Sequence, residues 1–267
     1  MFQLILALAL AGLVSSSWAA TPEEVFQAAS GRIHDQLMDG GPADCTALAE
    51  SFAEIRKLAD DGYVPARIYH GINLMHDQVC IDADAERGQA MLEAVAAAGS
   101  EEYAPVAMAY LGAEAYARGD YAAALPLLQA GAAHDVAVAN HYLGSMYATG
   151  HGVPKSDTLA ARYWSAASTA GVAEAQYNIA LMYIHGLGVS PDPVIAAVEL
   201  ALCKEQLHKR DADDQYRATM AGLNDEQRSY VRQTAARIAA DLSAGNRAPL
   251  AEDIALWHPA CPPGVCF

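Results

Sequence analysis

AVANHYLGSMYATGHGVPKSDTLAARYWSAASTAG, residues 137–171, returns 36 positions further along the chain. The shift lays Ala139 on Ala175, Leu143 on Ile179 and Tyr147 on Tyr183, and it superimposes Gly150, Gly152 and Val153 on Gly186, Gly188 and Val189. A recurrence of roughly 20 to 50 residues marks a solenoid, whose units bury their apolar faces only by stacking on one another. Inside the unit, Ala139, Leu143 and Tyr147 stand four apart and share one face of a first helix, while Gly144 lets another helix come close. TGHGVP then stops that helix, because glycine adopts positive φ and Pro154 cannot continue a helix. Ser156 or Asp157 can cap a second helix, whose Ala160, Ala161, Trp164 and Ala167 pack back on the first. One repeat is a helical hairpin.

The pattern is carried by Ala139, Leu143, Gly144, Met146, Tyr147, Gly150, Gly152, Val153, Asp157, Ala161, Trp164, Ala167 and Gly171. It closely resembles the Sel1-like repeat, a relative of the tetratricopeptide repeat. The resemblance is strong over 137–189 and extends more loosely over 63–209. It implies an all-α, right-handed α-solenoid of stacked helical hairpins.

Working outward, residues 173–189 keep the first helix of the next unit, and Asp192 and Pro193 start its second, where Leu200 replaces Trp164. In the preceding unit Leu111 and Gly112 are in register, with a short GDY connection at 119–121. One unit earlier, Ala66 and Gly71 hold their places, but His70 stands where the repeat has leucine. We read that His70 as a satisfied core histidine. A capping hairpin is expected over 20–61, entered through Thr21, Pro22 and Glu24, which form a capping box with proline in the first turn, and continued by a helix that Asp44 can cap. Repeats are expected over 62–209 and closing helices over 210–246, the last starting at Asn224 with Gln227 at the capping-box position. Residues 247–267 form an irregular tail containing Cys and Pro.

Composition narrows the function classes. Sixteen Lys and Arg stand against 32 Asp and Glu, a formal charge of −16, so the basic footprint that nucleic-acid binding needs is missing. Residues 1–19 read as a signal peptide. The apolar run from Phe2 to Val14 is shorter than the ~20 residues of a membrane span, and Ser17 and Ala19 offer small residues for cleavage, although no basic residue precedes the run. The expected product is soluble and exported, periplasmic or secreted, without a transmembrane anchor.

Five cysteines in an exported chain invite pairing. In stacked hairpins the start of one unit's second helix shares an edge with the next unit's interhelix loop, and Cys45 and Cys80 occupy those two places. Cys261 and Cys266 bracket Pro262, Pro263 and Gly264 and suit a small tail loop. Cys203 is left over and reads as a buried small side chain; the alternatives are a reactive thiol or an intermolecular bond.

No metal or cofactor site is expected. His70 and His76 fall on different sides of a helix, His141 and His151 lie in different elements, and HExxH, CxxC, GxSxG, SxxK and GxxxxGK are absent. Tyr147, Tyr183 and Trp164 stand at packing positions of the repeat. In tetratricopeptide-like solenoids the first helices line a concave groove. By that register the groove is lined by Ile68, Ile72 and Met75, then Ala109, Ala113 and Tyr116, then His141, Ser145 and Ala148, then Tyr177, Leu181 and Ile184. Such an apolar surface marks a partner site. Otherwise neighbouring helices, or the tail with Trp257 and Phe267, cover it.

The resemblance implies a non-catalytic adaptor that binds a protein or peptide. The alternative is a hydrolase or small-ligand binder with His141 and Tyr177 as its polar groups. Some secreted, cysteine-rich Sel1-repeat proteins have had β-lactam binding attributed to them, but their disulfide in every repeat is missing here, since the clearest unit has no cysteine. Self-association through the groove is a third possibility. Partner identity and oligomeric state are not legible.

Overall fold

The computed structural model describes residues 20–38, 45–76, 80, 83–207 and 210–243. Among these, all regular structure is helical, in twelve α-helices: α1 (Pro22–Met38), α2 (Cys45–Asp60), α3 (Val64–Met75), α4 (Ala85–Ala97), α5 (Ala104–Ala117), α6 (Tyr121–Ala132), α7 (Ala137–Thr149), α8 (Asp157–Thr169), α9 (Ala173–His185), α10 (Pro193–Leu207), α11 (Arg210–Ala221) and α12 (Asp225–Ser243). The chain divides into two compact units, Met1–Ala83 and Asp84–Phe267. The expected signal peptide at 1–19, the tail at 247–267 and the Cys261–Cys266 bond lie outside the described residues.

The first unit holds α1 to α3. Its entry follows the capping box: the Thr21 amide donates to Glu24 Oε2 at 2.8 Å, and the Glu24 amide donates to Thr21 Oγ1 at 3.2 Å. Phe26, Ile33, Leu48 and Ile55 are fully buried, and Phe26 meets Tyr63 and Tyr69 edge-on, each at 5.8 Å between centroids. His70 is buried, as read from its place in the repeat. Cys45, the first residue of α2, is bonded to Cys80, across a Cα–Cα distance of 5.1 Å and 35 residues of sequence. Closing a loop of that size contributes about 3 to 4 kcal/mol in the chain-entropy picture.

In the second unit α5 packs on α6, α7 on α8 and α9 on α10 as hairpins, and α6 on α7 and α8 on α9 join one hairpin to the next. This is the stacked order of an α-solenoid. The hairpin expected from α3 and α4 is divided instead, since α3 belongs to the first unit and α4, which packs on α5, to the second. Caps sit where the sequence placed them. Ser156, rather than Asp157, accepts from the Leu159 amide at 3.3 Å, and Asp192 accepts from the Ile195 amide at 3.0 Å. Asn224 and Gln227 exchange hydrogen bonds of 2.9 and 3.0 Å at the start of α12. Gly150 and Gly186 end α7 and α9 in the left-handed conformation, at φ 79° and 67°.

Three glycines set how closely the helices approach. A Cβ on Gly144 would stand 2.5 Å from Trp164 Cδ1, so the indole packs directly against the α7 backbone, and its Nε1 donates to the His141 carbonyl at 3.2 Å. A Cβ on Gly152 would meet Tyr121, the first residue of α6, at 2.8 Å, and one on Gly188 would strike the backbone of Asp157 and Thr158, which begin α8. The loops at Gly152 and Gly188 are therefore each seated on the first turn of the preceding unit's second helix. Trp164 with Ala160, Ala161 and Ala167 packs against Ala175, Ile179 and Met182, which fills the junction between hairpins.

Beyond the repeats, the polar segment expected to hold a short helix forms the three-turn α11. Both α11 and α12 pack on α10: Ala212 joins Ala180, Leu200 and Cys203, while Val231 joins Ala197 and Val198. Cys203 is a buried small side chain whose thiol lies 3.6 Å from the Leu200 carbonyl. One carboxyl is held between second helices: Ser168 Oγ of α8 donates to Glu199 Oε2 of α10 at 2.6 Å. Burial pushes the Glu199 carboxyl above its ordinary range, and the Ser168 hydroxyl only partly opposes this.

This packing carries several measurable consequences. Gly144→Ala forces the indole away and destabilises by about 1 to 3 kcal/mol in urea unfolding followed by circular dichroism. Gly31→Ala in α1, where a Cβ meets nothing within 4 Å, stabilises by about 0.5 to 1 kcal/mol. For Glu199, a raised folded pKa favours folding in the protonated form; that contribution is complete below the unfolded value of about 4.3 and is lost as pH rises through the folded value. Glu199→Gln is therefore more stable than the parent at pH 7, and the gap closes on acidification, as urea midpoints across that range will register.

Candidate interaction surface

The surface with most claim to a function is the face of the first helices, one turn away from the core stripe. In the second unit these helices are α5, α7 and α9. Their core stripe is filled: Leu143, Met146 and Ile179 are buried, with Gly144 and Gly112 under Trp164 and Leu128.

The structure corrects the extent of the expected groove. Ala109, Ala113 and Tyr116 of α5 are buried and offer no surface. Ala109 closes on the α6–α7 junction, where a Cβ on Gly131 would stand 2.9 Å from the Cβ atoms of both Ala109 and Ala139. The Tyr116 ring is held between Tyr121 and Tyr142, at 5.3 and 5.1 Å. Ile68 and Ile72 of α3 are likewise core residues of the first unit, while Met75 is half-buried. Ser145 is buried and turns its hydroxyl back to the His141 carbonyl at 3.2 Å. His141, Ala148, Tyr177, Leu181 and Ile184 are half-buried and keep part of their surface.

These remaining positions are not equivalent. The His141 ring packs edge-on to Tyr142 at 5.2 Å, and Ala148 packs on the Trp164 cluster. Tyr177 and Ile184 pack toward the cluster that holds Ala212, beside Tyr216 of α11. Leu181 lies between Tyr177 and Ile184 on the same face of α9.

Sequence reading missed an aromatic cluster at the loop edge. His151 is exposed and stacks on Tyr121 at 4.5 Å and 15°, with Tyr116 and Tyr142 behind it. The available signal was the short GDY connection, which sets Tyr121 as the first residue of α6, under the next unit's loop. Upward pKa shifts from burial fall on Tyr69 of α3, Tyr110 of α5 and Glu199 of α10, with Tyr142 adding to the effect at Tyr110. They sit in three separate helices. Among the described residues no three His, Cys, Asp or Glu side chains are grouped so as to hold a metal ion, and no helix is long and apolar enough to cross a membrane.

Comparison with known proteins bears on the repeats and on the fold. The Sel1 repeat family matches residues 105–130, 137–172 and 173–202. No curated protein matches the sequence. Among solved structures, the chain is similar to a protective antigen of uropathogenic Escherichia coli displaying an SLR fold, with a TM-score of 0.61 and 18% identity over 85% of this chain and 49% of the antigen. It spans about half the length of that protein. It is also similar to a Sel1 repeat protein from Oxalobacter formigenes, with a TM-score of 0.57 and 20% identity over 86% of this chain and 93% of that one. At these identities the likeness concerns the fold alone. Residues 105–202 thus hold three Sel1 repeats, and the recurrence that begins at Ala137 is the second of them followed by the third.

Proposed function

We propose that this chain is an exported, non-catalytic scaffold that binds a protein or peptide partner through the first-helix face of its second unit. Sel1 repeats are in general scaffolds for protein–protein interaction and are typically non-catalytic. The observation that carries the reading is on α9, where Tyr177, Leu181 and Ile184 keep part of their surface although all three are large and apolar. His141 and Ala148 of α7 continue the same face, so the proposed site is the α7–α9 part of the groove. Met75 lies in the other unit and is left out of it.

Export is supported by two features. The leader-like residues 1–19 have the short apolar run and small-residue ending of a secretory signal. The Cys45–Cys80 bond belongs to an oxidising compartment. The second reading is a hydrolase or small-ligand binder with His141 and Tyr177 as its polar groups.

The test is a crosslinking pull-down from envelope extract with the full chain and two variants that retain native helical circular dichroism. Leu181→Glu places a charge in the proposed site. Tyr230→Glu alters a residue of α12 that is 58% exposed and lies outside the matched repeats. The scaffold reading expects one specific partner to be lost with Leu181→Glu and kept with Tyr230→Glu. Equal recovery by both variants would contradict it.

A further inference from the structure

The three helices of the first unit are held together without help from the Cys45–Cys80 bond. Helix α2 packs on both α1 and α3. Phe26 and Ile33 of α1 and Leu48 and Ile55 of α2 are fully buried, and Arg32 Nε of α1 donates to Ser51 Oγ of α2 at 2.9 Å. Toward α3, Arg67 Nε donates to the carbonyl of Ala59, near the end of α2, at 3.0 Å, and Phe26 meets Tyr69. The bond does something separate: it ties Cys80, which follows the end of α3, to the opposite end of α2.

Its surroundings are those of a reactive bond. Cys45 is exposed and Cys80 half-buried, whereas the free Cys203 is fully buried, so a dissolved thiol has access to the bond and not to Cys203. Cys80 also holds φ at 73°. Among the described residues the one other non-glycine with positive φ is Asp135, and aspartate is tolerated there through its short polar side chain. Cysteine has no such compensation. The strain persists while the bond fixes Cys80 in place, and opening the bond releases it, which offsets part of what loop closure contributes. Disulfides that are exposed or strained are the labile ones.

We propose that Cys45–Cys80 is a thiol-exchange site, a reversible latch opened by a dithiol reductant of the CxxC class. One thiolate of the reductant attacks Cys45 Sγ, on the more exposed residue. A mixed disulfide forms, the Cys45–Cys80 bond breaks, and Cys80 leaves as a thiolate that takes up a proton. The reductant's second thiolate then attacks the reductant's own sulfur in the mixed disulfide and frees Cys45, which is protonated in turn. The chain gains two electrons and two protons, and the reductant ends as a disulfide. Opening frees Cys80 from the first turn of α2 and leaves α1 to α3 packed. The loops at Gly152 and Gly188, seated without a covalent link, do not respond.

Glutathione is the probe thiol for the test. The full chain is equilibrated at neutral pH without oxygen or denaturant in an excess of reduced over oxidised glutathione, then trapped with N-ethylmaleimide and mapped by peptide mass. Cys45 and Cys80 are expected to be modified in most chains, with Cys203 unmodified and helical circular dichroism unchanged; the same treatment in urea modifies Cys203 as well. Natively unmodified Cys45 and Cys80 would overturn the proposal, because a purely structural bond resists glutathione. Modification of Cys203 alongside them without urea would also overturn it, since the bond would then open only through unfolding. Hydrogen exchange on the reduced chain is expected to leave the protection of α2 and α3 within a few-fold, and its loss across both helices would show a staple rather than a latch.

Discussion

The stack depends on a contact between backbones: an interhelix loop resting on the first turn of the preceding unit's second helix. At Gly188 the space beside the Cα is taken by the main chain of Asp157 and Thr158, so no side chain fits there. The same glycine holds φ at 69°, which L-residues rarely adopt. Both demands fall on one atom position. Once the loop is seated, the first helix that precedes it is held against its neighbour, and Trp164 can fill the junction with Ile179 and Met182. The Cys45–Cys80 bond joins the same two places in the first unit, where the connecting segment lacks the glycine pair. A covalent link there does what close packing does at Gly152 and Gly188.

Much of this was legible because the determinants are local or periodic. The capping boxes at Thr21–Glu24 and Asn224–Gln227 need only four consecutive residues, and both form. Gly144 and Trp164 belong to one repeat and meet within one hairpin. Cys45 and Cys80 could be paired from sequence because the repeat fixes which edges coincide.

The candidate surface was less legible. Whether a first-helix position is open depends on the size of side chains in other units. Tyr116 is covered because Tyr142 and Tyr121 are large, whereas Leu181 stays half-exposed in an equivalent face. Helix α11 was readable as a short closing helix but not in its packing, which rests on Ala212 and Tyr216 meeting α9 and α10. The Ser168–Glu199 pair joins residues 31 apart and leaves no mark in either local sequence. The face proposed to bind a partner is accordingly narrower than the repeat register and limited to α7 and α9.

Hydrogen exchange on Gly188→Ala tests the seated-loop account most directly. The account predicts faster exchange at the first turn of α8 together with residues 186–192, the two segments that meet at that contact, while α5 and α6 keep their protection. Unchanged exchange at α8, or a loss confined to the loop itself, would show that the hairpins are held together by their side chains alone.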